Sequence, residues 1–177
     1  MVRNLSLIKK KIIPTELSKS LLALLICLLP LIIGLAHDIY RPYTLTPDAD
    51  LIYLGQVLRL ADGLNQTYFD HTGHSYILVL FCWLKFWSIL GLIPKISELT
   101  AITVLDIDAY IQSLIIAGRS FSIVMGGFFT ILVIWGSRSL HLSWRISLAV
   151  GLLFSLSQGL TAQTLIMRAE MLSAMGG

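Results

Sequence analysis

The stretch YILVLFCWLKFWSILGLI, residues 76–93, decides the topology of this chain. If it crosses a membrane, everything after it changes sides; if it dips and returns, nothing does. Its length is at the low end for a span, which takes about 20 apolar residues. Lys85 stands at its middle, where a charge is costly in hydrocarbon and is expected to snorkel to the surface. Trp83, Phe86 and Trp87 gather around that lysine, as aromatic residues do at a membrane interface.

The membrane reading comes from composition. Of 177 residues, 56% are hydrophobic and 13% charged, and the mean hydropathy is +0.81. Soluble domains are about 25% charged. The formal net charge of +3 is clustered, and no Lys/Arg face alternates with aromatics, which excludes a nucleic-acid surface. Cys27 and Cys82 lie in apolar runs and read as small hydrophobes, not as a disulfide or metal pair.

Working outward, residues 1–19 form a basic tail with Arg3, Lys9, Lys10, Lys11 and Lys19 against Glu16. The run SLLALLICLLPLIIGLA at 20–36 carries no charge, and Ile39 and Tyr40 extend it to a span over 20–40. The basic flank puts the N-terminus in the cytoplasm. A cleaved signal peptide, with Gly34 and Ala36 as its small-residue site, is the rival, opposed by Pro30 and by the lack of a clean Ala-x-Ala. Residues 37–75 hold five aspartates against two arginines, which suits the outer side. Within them, 48–62 is expected to form a short surface helix, started at Pro47 or Asp48 and stopped by Gly63. Leu51, Leu54, Val57, Leu58 and Ala61 would form its apolar face, with Asp50, Gln56 and Arg59 off it. Residues 109–137 are apolar but for Arg119, with Gly126 and Gly127 permitting close helix packing. Residues 146–166 are apolar and uncharged, read as one further span.

Charge parity then settles 76–93. If it crossed, Lys95, Glu98, Asp106 and Asp108 would be cytoplasmic, with Arg138 and Arg145 outside, inverting the positive-inside rule twice. If it dips from the outer face, both arginines fall in the cytoplasm. The expected fold is therefore all-α and integral to the membrane. Three transmembrane helices (20–40, 109–137 and 146–166) accompany two juxtamembrane helices (about 48–62 and 75–93) in a large outer loop, 41–108. Residues 138–145 form a cytoplasmic turn. The end, RAEMLSAMGG, reads as the start of a further outer segment from 167 on, so the chain is expected to be the N-terminal piece of a longer protein.

That order of motifs resembles the GT-C superfamily of membrane glycosyltransferases, which includes protein O-mannosyltransferases, aminoarabinose transferases and bacterial relatives. DADLIY at 48–53 matches the acidic pair and aromatic that open the family's first-loop helix, with Asp50 and Tyr53 in register. FDHTGHSY at 69–76 stands where the family has a D-x-H-P-P or K-P-P turn, and AGRSFSIVMGG at 117–127 supplies its arginine near the start of the next span. GSRSLHLSWR at 136–145 is the basic turn. Thr72-Gly73 replaces the two prolines, and Asp-x-Asp the Asp-Glu pair. The resemblance implies transfer of a sugar from a polyprenyl-phosphate carrier to a protein, lipid or glycan acceptor outside a bacterial inner membrane. The isolated fragment is expected to be inactive.

On that resemblance Asp50, or less readily Asp48, is the general base on the acceptor hydroxyl, since the attacking oxygen must lose a proton. The plainer alternative is helix capping, which suits Asp48 best. As a D-x-D pair, Asp48 and Asp50 could instead hold Mg²⁺ or Mn²⁺. Tyr53, Asp70, His71 and His74 would shape the acceptor pocket; the two histidines with Asp70 could also bind zinc. Arg119 and Arg168 would meet the donor phosphate, with Glu170 beside them. Their plainer readings are an Arg119 salt bridge to Asp106 or Asp108 and an interfacial Arg168–Glu170 pair. Asn65-Gln66-Thr67 is a glycosylation sequon.

Overall fold

In a computed structural model, the structure describes residues 3–37, 39–45, 47–65, 67, 73–96, 106–164 and 167. All regular structure among them is helical: α1 (Arg3–His37), a 3₁₀ turn (Tyr43–Leu45), α2 (Pro47–Ala61), α3 (Gly73–Ile89), α4 (Ile107–Ser139), α5 (Trp144–Ser155) and α6 (Gln158–Thr164). The expected helices at 48–62, 75–93 and 109–137 are thus present, with ends shifted by a few residues. Residues 1–19, read as a tail, are helical from Arg3 onward, with Pro14 inside the helix.

Among the described residues, two helices are long and apolar enough to cross a membrane: Leu17–Ala36 within α1, and α4. The expected third span, 146–166, is not one helix. It breaks at Leu156 and Ser157 into α5 and α6. Ser157 causes the restart, its hydroxyl accepting the Leu160 amide at 3.3 Å, an N-cap that takes up a donor the new helix leaves orphaned. α5, at 12 residues, is about 18 Å long, short of the ~30 Å hydrocarbon layer.

α4 is the spine. Its N-terminal half carries α2 and α3, with Tyr53, Leu54 and Val57 of α2 and Tyr76, Ile77, Leu80 and Leu84 of α3 meeting Leu114, Ile115 and Phe121. The α3 residues recur at three- and four-residue spacing, so one stripe is buried and the opposite side is left out. Toward its C-terminal half α4 meets α1 and α5 through Ile26, Cys27, Ile134 and Leu148. α1 runs antiparallel to α4, since Gly34 lies against Ile123 while Cys27 lies against Gly127. A Cβ on Gly127 would stand 2.8 Å from the Cys27 carbonyl oxygen. This is the close backbone approach expected of the Gly126-Gly127 pair.

α2 and α3 end alike. Gly63 and Gly91 take positive φ, and the next amide in each case reaches back five residues, Leu64 to Arg59 and Leu92 to Trp87, closing a Schellman turn. α4 ends the same way with His141 at φ 60, where the missing glycine makes the turn strained. Beyond it, Arg138 stacks 5.1 Å over the Trp144 ring and donates to the Leu142 carbonyl, fixing the 140–143 turn. Outside the clusters, Leu21, Leu24, Ile32, Phe128, Ile131 and Leu153 are exposed, an apolar surface suited to hydrocarbon.

Candidate functional site

The polar centre of the fold lies where the α1–α2 connection crosses α4. Arg119 is 1% exposed and Asp50 is 0% exposed. The Arg119 Nε and Nη2 both donate to Asp50 Oδ2, at 3.0 and 2.6 Å. Asp50 Oδ1 accepts the backbone amide of Met167 at 2.9 Å. Arg119 Nη1 donates to the carbonyls of Ile39 and Arg41, at 3.3 and 2.5 Å. The guanidinium therefore joins three pieces of chain, and the carboxylate a fourth.

Two further α4 side chains hold the same connection: Gln112, missed at the sequence level, and Asp108, expected there only as a partner for Arg119. Gln112 Oε1 accepts the Tyr43 amide at 3.1 Å, and its Nε2 donates to the Arg41 carbonyl at 3.2 Å. Asp108 accepts the Tyr43 hydroxyl at 2.7 Å. That hydrogen bond to a carboxylate raises the phenol's pKa above its ordinary value, with desolvation and the Asp108 charge acting in the same direction. Asp108, Gln112 and Arg119 are spaced by four and seven residues, so they share one helix face. That spacing was readable in the sequence and is the signal that could have found them.

The placement of Asp50 corrects the helical-wheel reading, which put it off the apolar face. It lies on the same stripe as Leu54, Val57 and Ala61, and it is buried because Arg119 and the Met167 amide supply what water would. The expected partners of Arg119, Asp106 and Asp108, are replaced by Asp50. The structure thus joins two of the residues singled out, Asp50 and Arg119. Tyr53 lies beside them in the core, its ring 5.0 Å from Tyr76 at 66°; Tyr76 in turn lies 5.8 Å from Phe121. Gln56 and Arg59, placed off the apolar face of α2, pin the following loop. Gln56 exchanges hydrogen bonds with Thr67, and Arg59 donates twice to the Asn65 carbonyl.

His74 is exposed in the first turn of α3. Asp70, His71, Arg168 and Glu170 lie outside the described residues, as does the side chain of Asp48. Among the described residues no group of three or more His, Cys, Asp and Glu is placed to hold a metal ion. The Arg119 guanidinium sits beside Asp50 Oδ2, and the side chain of Asp48, the other half of the Asp-x-Asp pair, lies outside the described residues.

Chemically, the site holds chain segments together. Asp50 is sealed from solvent with both oxygens accepting hydrogen bonds. No protein-family model matches the chain, and neither a curated protein nor a solved structure does.

Proposed function

We propose that the chain is the N-terminal part of a GT-C-like glycosyltransferase of a bacterial plasma membrane, with its N-terminus cytoplasmic and its site outside. α5 and α6 together make the third crossing, and α3 dips from the outer face. The observation that carries this reading is the contact of Asp50 with Arg119. The motif resemblance selected the two separately, 69 positions apart in the sequence.

On this reading the ion pair is the resting state. The phosphate of a polyprenyl-linked sugar takes over the Arg119 fork, which suits a phosphate as well as a carboxylate. Asp50, released, accepts the proton of the acceptor hydroxyl as its oxygen bonds to the anomeric carbon. The bond from that carbon to the phosphate oxygen breaks, and polyprenyl phosphate leaves with the electron pair. By the resemblance, Tyr53, Asp70, His71 and His74 would shape the acceptor pocket, and Arg168, with Glu170, would join Arg119 at the donor phosphate. No step requires Mg²⁺ or Mn²⁺.

A second reading is favoured by the complete burial of Asp50: a non-catalytic membrane protein, a transporter fragment or assembly subunit, in which the pair is only a structural lock. The full-length protein carrying Asp50→Leu with Arg119→Met separates the two, since matched apolar replacement of a buried ion pair is often tolerated. Membrane abundance and glycan or glycolipid output are measured together. Normal abundance with output lost is expected; normal abundance with normal output overturns the enzyme reading.

A further inference from the structure

A second site lies at the other end of α2. Asp50 and Ala61 are eleven residues apart on that helix, about 16 Å, and Ala61 borders a pocket of about 360 Å³ between α3 and residues 95–96. Two cations, Lys85 and Lys95, and the Ser88 hydroxyl line it, against apolar walls that include Ile89 and Ile96. The Lys85 ammonium lies 5.6 Å from the centre of the Phe81 ring, a cation–π contact that holds the charge at the pocket.

The surroundings set the kind of ligand. Ile89, which lines the pocket, is 76% exposed, and Phe86, Leu90 and Leu92 of the same stretch of chain are exposed too. Such a band on a monomer marks contact with lipid or a partner, and the adjacent aromatic residues Trp83 and Trp87, with Phe86, belong at the membrane–water interface. Two lysine side chains and a hydroxyl lining one pocket at that level recognise a phosphate. The apolar band running away from them recognises the hydrocarbon attached to it.

We propose that the pocket formed by Lys85, Ser88 and Lys95 binds the headgroup phosphate of an anionic bilayer phospholipid, whose acyl chains lie along Phe86, Ile89 and Leu90. The site is separate from Asp50 and Arg119 and stands whether or not the protein transfers sugar. A lipid seated there pins the C-terminal end of α3 at the headgroup level, which makes a cation in an apolar helix a lipid ligand as well as a snorkelling residue.

Native mass spectrometry of the purified full-length protein, with phosphatidylglycerol, phosphatidylcholine or inorganic phosphate added, tests this. Phosphatidylglycerol is expected to be retained in preference to phosphatidylcholine. Each of Lys85→Gln and Lys95→Gln lowers that preference about fivefold, and Lys85→Arg keeps it. Because Lys85 is exposed, its substitution leaves helicity by circular dichroism unchanged. Equal retention of the two lipids, or a preference that survives in the double glutamine variant, overturns the proposal. Displacement of the lipid by millimolar inorganic phosphate overturns it too, by making the pocket a site for the free ion.

Discussion

Asp50 and Arg119 meet at 2.6 Å with essentially no exposure of either side chain, and each also binds backbone from a different part of the chain. Removing one partner leaves the other charged, buried and unmatched. Asp50→Asn and Arg119→Gln should therefore each destabilise the protein by about 3–5 kcal/mol. The Asp50→Leu/Arg119→Met double variant should recover part of that loss, since it removes the orphaned charge but leaves the Ile39 and Arg41 carbonyls and the Met167 amide without these partners. Unfolding in mixed micelles measures it. Single-variant losses under about 1 kcal/mol, typical of exposed pairs, would show that the pair opens to water.

The α1–α4 contact gives a prediction with an internal control. At Gly127 a methyl group would meet the Cys27 backbone oxygen, which cannot rotate aside; at Gly136, on the same helix, it would meet nothing within 4 Å. Gly127→Ala should cost about 1–3 kcal/mol through overpacking. Gly136→Ala should add about 1 kcal/mol of helix propensity. Opposite signs in thermal unfolding are expected, and equal effects would mean that α1 does not rest on α4 as described.

Tyr43 and Asp108 supply a pH dependence. The phenol's pKa is raised, first by its hydrogen bond to Asp108, so the folded state holds this proton more tightly than the unfolded chain. The stability it contributes is present below tyrosine's ordinary value of about 10 and is lost as pH climbs through the raised folded value. Tyrosinate absorbance, assigned by difference from Tyr43→Phe, should show the Tyr43 midpoint falling in Asp108→Asn. An unchanged midpoint would mean that the hydrogen bond is not formed in solution.

The sequence makes most of the helices legible and little of the polar centre. α2 and α4 follow from apolar spacing, and Gly63 ends α2 as its conformational freedom requires. The break at Leu156 and Ser157 was hidden because hydropathy counts apolar residues and is blind to a serine that caps a new turn. Asp50 was misplaced for a different reason. A helical wheel puts an acid on the wet side, and only a cation 69 residues away makes burial tolerable. Local pattern could reveal the matching face on α4, where Asp108, Gln112 and Arg119 repeat at helical spacing, but not what that face grips.

The side of the membrane on which α4 ends follows from whether α3 crosses. At 17 residues it is about 25 Å long, it buries a stripe against α2 and α4, and it carries exposed Lys85 about one turn before its C-terminal end. All three features favour a helix lodged at one face over a crossing. On that reading Arg138 and Arg145 would face the cytoplasm, as the distribution of basic residues asks. Cysteine labelling in intact cells reads this directly, in a background where exposed Cys82 is replaced by alanine. Asn65→Cys should react with a membrane-impermeant maleimide, while Ser139→Cys, exposed at the end of α4, should react only after permeabilisation. Labelling of Ser139→Cys from outside would make α3 a true span. It would also move the α4–α5 turn across the membrane and leave both arginines on the side that the charge pattern disfavours.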